Sequence, residues 1–264
     1  MHEELSLPVL PAGRMRAFRL LSNPSPQLDE IVDVADADVG LLAALLRAAN
    51  SAASAPMSPI GTARNATVRI GTEEARRIIL ATAANETFRS ARRSGLNLHD
   101  VWGHLFATAV IADHLALASV EHSEAFSAGL LHDLGRLAMA ANQSDRFRSV
   151  IGAVRRGADP RAAERELFGV DHVEWGVEVA QAWHFPESVV QGIAGHHEGA
   201  QGGIGWIVRR AREVSLILGL GDGVREADET EVSTEARMLP VISELGGPAE
   251  MHRQITWYRG ALVV

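Results

Sequence analysis

The sequence predicts an all-α protein, and three observations carry that expectation. Alanine and leucine dominate while aromatic residues make up only 5% of the chain, whereas strands draw on β-branched and aromatic side chains. Apolar residues recur at i, i+3, i+4 and i+7, the spacing of one helix face. None of the 264 residues falls in a convincing run of apolar–polar alternation. The overall balance, 47% hydrophobic and 22% charged, is that of an ordinary globular chain, long enough for one large or two modest domains.

The elements follow in order. Leu7-Pro8-Val9-Leu10-Pro11 is a stiff opening segment. Ser25-Pro26 reads as an N-cap followed by proline at the first helical position, with Leu28, Ile31 and Val32 on the helix behind it. Asp36 or Asp38 caps a second helix, which carries Leu42, Leu45, Leu46 and Ala49 on one face. The small, proline-broken stretch from Asn50 to Pro59 is expected as a loop. Thr72 starts a helix to about Phe88, with Glu73 and Arg77 paired at i, i+4. A polar stretch closing on a Gly95 turn marks the main boundary. This gives an N-terminal helical lobe over residues 1–95, a second helical lobe over 96–221 and a helical tail over 222–264.

In the second lobe, Asn97 opens a helix with His104, Thr108, Ile111 and Leu115 on one face. Ser123 opens the helix that ends near His132-Asp133, and Asp171 and Glu174 have capping-box spacing. Pro186-Glu187 starts the helix that delivers His196 and His197, and a further helix runs from about Gly203 to Leu220. Gly221 to Ser233 is acidic and expected as a surface loop. Two short helices, around Ala236 to Leu245 and Ala249 to Tyr258, close the chain, the last docking Met251, Ile255, Trp257 and Tyr258 on the body. Trp175, Trp183 and Trp206 are expected to pack between helices.

Composition narrows the function classes. A formal net charge of −8 with no basic run argues against nonspecific nucleic-acid binding. The absence of cysteine excludes disulfides, zinc-thiolate sites and thiol catalysis. The start, Met1-His2-Glu3-Glu4, is acidic where a signal peptide is basic and then apolar, and no apolar stretch is long enough to span a bilayer. The expectation is a soluble, cytoplasmic protein with no membrane partner.

The chemistry concentrates in the run Ala128-Gly129-Leu130-Leu131-His132-Asp133-Leu134-Gly135-Arg136. Imidazole and carboxylate side by side can bind one divalent ion, or one can bind while the other bridges to a second. Five of the eleven histidines, His104, His132, His172, His196 and His197, fall at helix positions able to point inward, and Asp133 joins them. Neutral imidazoles with a carboxylate suit manganese, iron, nickel or zinc. A two-ion cluster needs a bridging carboxylate, for which Asp133 is the candidate, and its logic is metal-assisted phosphoester hydrolysis. His114, His122, His184 and His252 read as hydrogen-bonded structural residues.

These residues carry a family pattern. Leu7-Pro8-Val9-Leu10-Pro11, Leu45-Leu46-Arg47-Ala48-Ala49-Asn50-Ser51-Ala52, Ile60, Ala66, Ile70-Gly71, His104, the His132-Asp133 run, Gly169-Val170-Asp171-His172 and Gly195-His196-His197 together resemble the HDOD proteins. These are the "HD-related output domain" branch of the HD superfamily. The resemblance covers roughly residues 5–220. It implies a helical N-terminal lobe packed on an HD-like lobe, and a bacterial signalling or regulatory role, mostly without catalysis. Input would come from a signalling protein partner, a small ligand or an oligomeric contact.

The catalytic cousins, among them the cyclic-di-GMP phosphodiesterases of the HD-GYP branch, imply the alternative, a metal-dependent phosphohydrolase acting on a nucleotide or cyclic dinucleotide. By that resemblance His104, His132 and Asp133 match the first three ligands of the HD pattern. His172, His196 and His197 match the histidines of a second metal. Two departures stand out. Arg212, in Ala211-Arg212-Glu213-Val214-Ser215, replaces the closing aspartate, and Arg136 replaces the usual lysine, with no Gly-Tyr-Pro element after Glu198. Arg212 exchanges a negative ligand for a permanent positive charge. It is expected either to pair with Asp133 or to leave Asp133, His172, His196 and His197 as a one-ion site, unless Glu213 turns inward instead. Arg136 either grips a phosphate or carboxylate ligand or, the preferred reading, caps the carbonyls of the preceding helix.

Overall fold

A computed structural model describes residues 5–51, 58–116, 120–199, 201–224 and 240–262. Every regular element among them is helical, as the composition predicts. The chain forms two compact units, one of residues 1–8 and 88–252, the other of residues 9–87 and 253–264.

The smaller unit starts with α1 (Ala12–Arg19), a 3-10 turn (Leu20–Ser22) and α2 (Leu28–Asp36). The expected Ser25-Pro26 start lies too early. The Ser25 amide is spent on Asn23 Oδ1 at 3.1 Å, and the Gln27 amide donates to Glu30 Oε2 at 2.9 Å, so the helix opens behind Gln27. Asp38, not Asp36, caps α3 (Val39–Ala49) by accepting from the amides of Gly40 and Leu41. The buried face of α3 is Leu41, Ala44, Leu45, Ala48 and Ala49. It is turned by one residue from the expected Leu42, Leu45, Leu46 and Ala49, because alanines on that side let α3 approach its neighbours α4 (Ala63–Ile70) and α5 (Thr72–Thr87). Of the expected loop, residues 52–57 lie outside the described residues. Its ends are tied by the Asn50 side chain, which donates to Ile60 O and accepts from Ile60 N.

Helix α5 is the axis of this unit, buried continuously from Ala75 to Asn85. Glu73 pairs with Arg77 at 3.2 Å as expected, and with Arg76 too.

The larger unit opens on a 3-10 turn (Arg89–Ser94) ending in Gly95, whose φ of +85° suits glycine. Helix α6 (Leu98–Leu115), capped by Asn97, is buried from Val101 to Ala112, flanked by α7 (His122–Leu131) and α13 (Gly203–Ile217). Between those two lie α8 (Leu134–Asn142), α9 (Ser144–Arg155), α10 (Pro160–Phe168), α11 (His172–Ala182) and α12 (Glu187–Gly195). Asp159 caps α10 with Pro160 at its first position, and Asp171 with Glu174 forms the expected capping box of α11. Helix α13 ends three residues before the expected Leu220. The four described residues of the expected surface loop, 221–224, do not lie on the surface: Asp222 and Val224 are buried. Helices α14 (Pro240–Glu244) and α15 (Pro248–Ala261) follow, and residues 225–239 lie outside the described residues.

The end of α15 docks within the smaller unit, as the apolar tail predicts. The Tyr258 hydroxyl donates to Glu74, Arg47 donates to Ala261 O, and Trp257 Nε1 donates to Ser51 Oγ at 3.0 Å. Among the described residues no helix is long and apolar enough to cross a membrane.

Candidate metal centre

The centre sits in the larger unit, where helix ends meet. The middle of α6 supplies His104. His132 stands at the C-cap of α7 and Asp133 at the N-cap of α8, so the His-Asp pair spans a sharp change of helix direction. His172 is the first residue of α11, and His196 and His197 follow the last turn of α12. All six expected residues therefore come together.

Each buried imidazole is oriented by its Nδ1. His132 and His196 reach back to the carbonyls three residues earlier, Gly129 O at 2.7 Å and Ile193 O at 2.6 Å. His104 Nδ1 lies 3.0 Å from Leu220 O, and His172 Nδ1 lies 2.6 Å from Glu164 Oε2. Carbonyl and carboxylate oxygens only accept, so each Nδ1 carries a proton, and in His104, His132 and His196 the Nε2 lone pair is left facing the cluster. The Nε2 atoms then crowd one another: His104 to His132 at 3.2 Å, His172 to His196 at 3.3 Å and His172 to His197 at 3.0 Å. Between His104 and His132 two lone pairs face each other, and two lone pairs cannot hydrogen bond.

Burial pushes His104, His132, His196 and His197 below the ordinary histidine range, His196 to about 4. Those four imidazoles are thereby held neutral. Asp133 Oδ1 lies 3.3 and 3.4 Å from the Nε2 atoms of His172 and His196, yet it is a buried oxygen without an aligned donor. Converging lone pairs and an unsatisfied carboxylate oxygen are the donor set of a borderline divalent ion. Two triads fit one, His172, His196 and His197, and His104, His132 and Asp133, with the ligand atoms of each within 4.8 Å of one another.

The corrections concern the arginines. Arg136 does not cap the preceding helix. It lies in the first turn of α8, 2% exposed, and points into the centre. Its Nη1 donates to Asp133 Oδ2 at 3.0 Å and Asp222 Oδ2 at 3.1 Å, and its Nε to Glu164 Oε1 at 3.2 Å. Its Nη2 lies 3.2 and 3.4 Å from the two ring nitrogens of His172. Nor does Arg212 pair with Asp133. It faces Asp222 at 3.9 Å, while Glu213 pairs with Arg209 and Arg210 on the outer side of α13.

Burial alone raises the Asp133 carboxyl, but Arg136 and His132 more than offset this and hold it well below the usual range. Burial likewise raises Glu164 and Asp222, and His172 with Arg136 in the one case and Arg136 in the other leave them lowered. The same three carboxylates, against the effect of burial, hold the Arg136 proton more firmly than usual. Three buried carboxylates, Asp133, Glu164 and Asp222, thus face two guanidiniums, Arg136 and Arg212.

Sequence reasoning missed Glu164, Asp222 and the second role of Asp171. Glu164 stands among Arg161, Arg165 and Glu166, and reads as surface charge. Asp222 stands in a Gly-Asp-Gly turn and reads as loop. Asp171 was found as a cap, but its carboxylate also takes Arg161 at 2.8 Å and Arg165, while Arg161 holds Glu198 at 2.7 Å. The residue before His172 and the residue after His197 are thereby tied through one side chain.

Two of the expected structural histidines are held by acids outside the centre: His114 pairs with Glu244 and His122 with Asp113. Trp175 is buried, and Trp183 stacks on Phe88 and donates to Pro8 O.

Comparison with known proteins identifies the family and the fold. A family model described as the HDOD domain matches residues 7–199. An uncharacterized protein of Treponema pallidum is 26% identical over 195 residues, which cover 72% of this chain but only 37% of that relative. The chain thus spans little more than a third of that relative's length. Among solved structures, an HDOD domain protein of unknown function from Geobacter sulfurreducens shares the fold with a TM-score of 0.75 at 24% identity, covering 98% of this chain and 94% of that one. A candidate phosphohydrolase from Shewanella amazonensis superposes with a TM-score of 0.67 at 25% identity, covering 94% and 95%.

Proposed function

This chain belongs to the HDOD family, and from that premise we propose that it is a regulatory module that relays a signal by binding a protein partner or a small ligand. Its histidine centre serves as a binding site for one divalent ion and not as a hydrolytic site. The observation that carries this reading is the Arg136 guanidinium on Asp133 Oδ2. Two-ion hydrolysis needs a carboxylate that offers an oxygen to each ion. Asp133 is the one carboxylate among the six expected residues, and one of its oxygens is held in a charge-assisted bond. Access points the same way. His104, His132, Asp133, His172 and His196 are each at most 2% exposed, and only His197 is half-buried.

The residues that would hold the ion are His172, His196 and His197, with Asp133 Oδ1 beside them. Bound there, an ion of manganese, iron, nickel or zinc would cross-link α11 to the end of α12. Glu164 fixes the His172 tautomer, the role carboxylates play behind metal-bound histidines.

The competing reading, a phosphohydrolase of a nucleotide or cyclic dinucleotide, draws on the convergence of six ligand-type residues and on the fold shared with the candidate phosphohydrolase. Hydrolysis of bis(4-nitrophenyl) phosphate and of cyclic dinucleotides with each of the four ions separates the two. The regulatory reading predicts no turnover above that of the free ion, with any cyclic dinucleotide bound intact in calorimetry. Turnover that disappears in His132→Ala would overturn it.

A further inference from the structure

We infer that Arg161 is a positioning residue for His197, and that through it the seating of α10 and the affinity of the ion site are coupled. The inference rests on the reading that a single ion binds at His172, His196 and His197. Of these three, His172 and His196 are turned by hydrogen bonds at Nδ1, to Glu164 Oε2 and to Ile193 O. His197 has no such bond among the described residues, and its Nε2 meets only the Nε2 of His172 at 3.0 Å. It also lies two residues beyond Gly195, the last residue of α12, and so stands outside the helix.

What holds this segment is Glu198, whose Oε1 accepts from Arg161 Nη1 at 2.7 Å. The Glu198 side chain is 77% exposed, and a surface pair of that kind is ordinarily weak. Here the guanidinium is already fixed. Its Nε donates at 2.8 Å to Oδ2 of Asp171, a fully buried carboxylate that caps α11 just before His172. Arg161, Glu164 and Arg165 are spaced i, i+3, i+4 and share one face of α10. Arg165 also pairs with Asp171, and Glu164 accepts from the His172 amide as well as from its ring. Helix α10 thus backs His172 with three side chains, and Arg161 alone carries the hold across to the residue after His197. The coupling is reciprocal. A seated α10 presents His197 to the ion, and an ion that fixes His172 and His197 keeps α10 seated.

The test measures Zn(II) affinity, by competition with a chelator, in the wild type, Arg161→Gln, Arg161→Lys, Glu198→Gln and the Arg161→Gln/Glu198→Gln double variant. Charge alone predicts that removing a cation beside a cation site tightens binding. Positioning predicts the opposite: Arg161→Gln is expected to weaken binding about tenfold or more, the range of groups that orient metal ligands from behind. Arg161→Lys keeps the charge but cannot fork between two acids, so it is expected to weaken binding as well, and it carries the test if Arg161→Gln does not fold. In the Arg161→Gln background, Glu198→Gln is expected to cost little more, since the two residues act as one link. Hydrogen exchange supplies the second readout. Zn(II) is expected to slow exchange across α10 in the wild type, and to slow it far less in Arg161→Gln. Binding that is unchanged or tighter in Arg161→Gln, or additive losses in the double variant, overturns the inference and leaves the one-ion reading standing. A wild type that takes up no ion overturns that reading and the inference with it.

Discussion

The metal-free protein is expected to lose stability steeply as the pH falls below about 6.5, the ordinary histidine value. Burial holds His104, His132 and His196 neutral in the folded chain, His196 down to about 4. Once unfolded, each takes up a proton near its ordinary value. A group whose folded pKa is depressed contributes stability that is fully present above the unfolded pKa and is lost as the pH falls from there to the folded one. Each such histidine contributes a slope of at most about 1.4 kcal/mol per pH unit, so the three together give at most about 4 kcal/mol per unit. That compares with a total stability of about 5–15 kcal/mol for a typical protein.

The carboxylates act in the same direction at lower pH. Asp133, Glu164, Asp171 and Asp222 all have lowered folded values, so their contribution is present above the ordinary carboxylate range and lost below it. The larger unit should therefore unfold in acid before the carboxylates have finished titrating. Urea unfolding in the presence of chelator at several values between about pH 7.5 and 5 measures this. A midpoint that does not move across that range would show that the imidazoles are not held neutral.

Gly135→Ala is expected to prevent the native fold of the larger unit. A Cβ at Gly135 would lie 1.9 Å from His172 O and 2.6 Å from the Gly176 amide nitrogen. Both are backbone atoms, so no rotamer change relieves the overlap, and α8 must separate from α11. From the other side, the nearest atoms to a Cβ at Gly176 are Ile193 Cγ2 and the Gly135 backbone. This close crossing brings Asp133 and Arg136 against His172. A loss of about 4 kcal/mol or more is the scale expected when a core backbone contact is forced apart.

Gly152→Ala is the internal control. It places the same methyl in α9, where the nearest atom is the mobile end of Arg156 at 3.4 Å. Helix propensity alone should then raise stability by about 0.5–1 kcal/mol. Thermal melts of the two variants beside the parent decide the matter. Gly135→Ala melting within a few degrees of the parent would mean that the two helices do not cross at their backbones.

The helical class and the six ligand-type residues were legible in the sequence because both depend on local spacing. Apolar periodicity, the caps Asp38, Asn97 and Asp171, and the placing of His132, His172, His196 and His197 at helix ends are all properties of short stretches. The α3 face was one residue off because Leu41-Leu42-Ala43-Ala44-Leu45-Leu46 offers two apolar stripes of equal spacing. Which one is buried depends on what packs beside it. Charge pairing was the least legible. In the sequence Arg136 reads as a helix cap because nothing local shows that Glu164 and Asp222, 28 and 86 positions away, close on it. Arg212 drew attention as a lost aspartate, whereas the acid comes from Asp222 beyond the end of α13.

Anomalous diffraction from crystals of the wild-type protein saturated with zinc or manganese tests the account most directly. It predicts one peak, at about 2.0–2.1 Å from the Nε2 atoms of His172, His196 and His197 for zinc, with the Arg136 guanidinium still seated on Asp133 Oδ2. Two peaks flanking the Asp133 carboxylate, with Arg136 swung out of the centre, would contradict it.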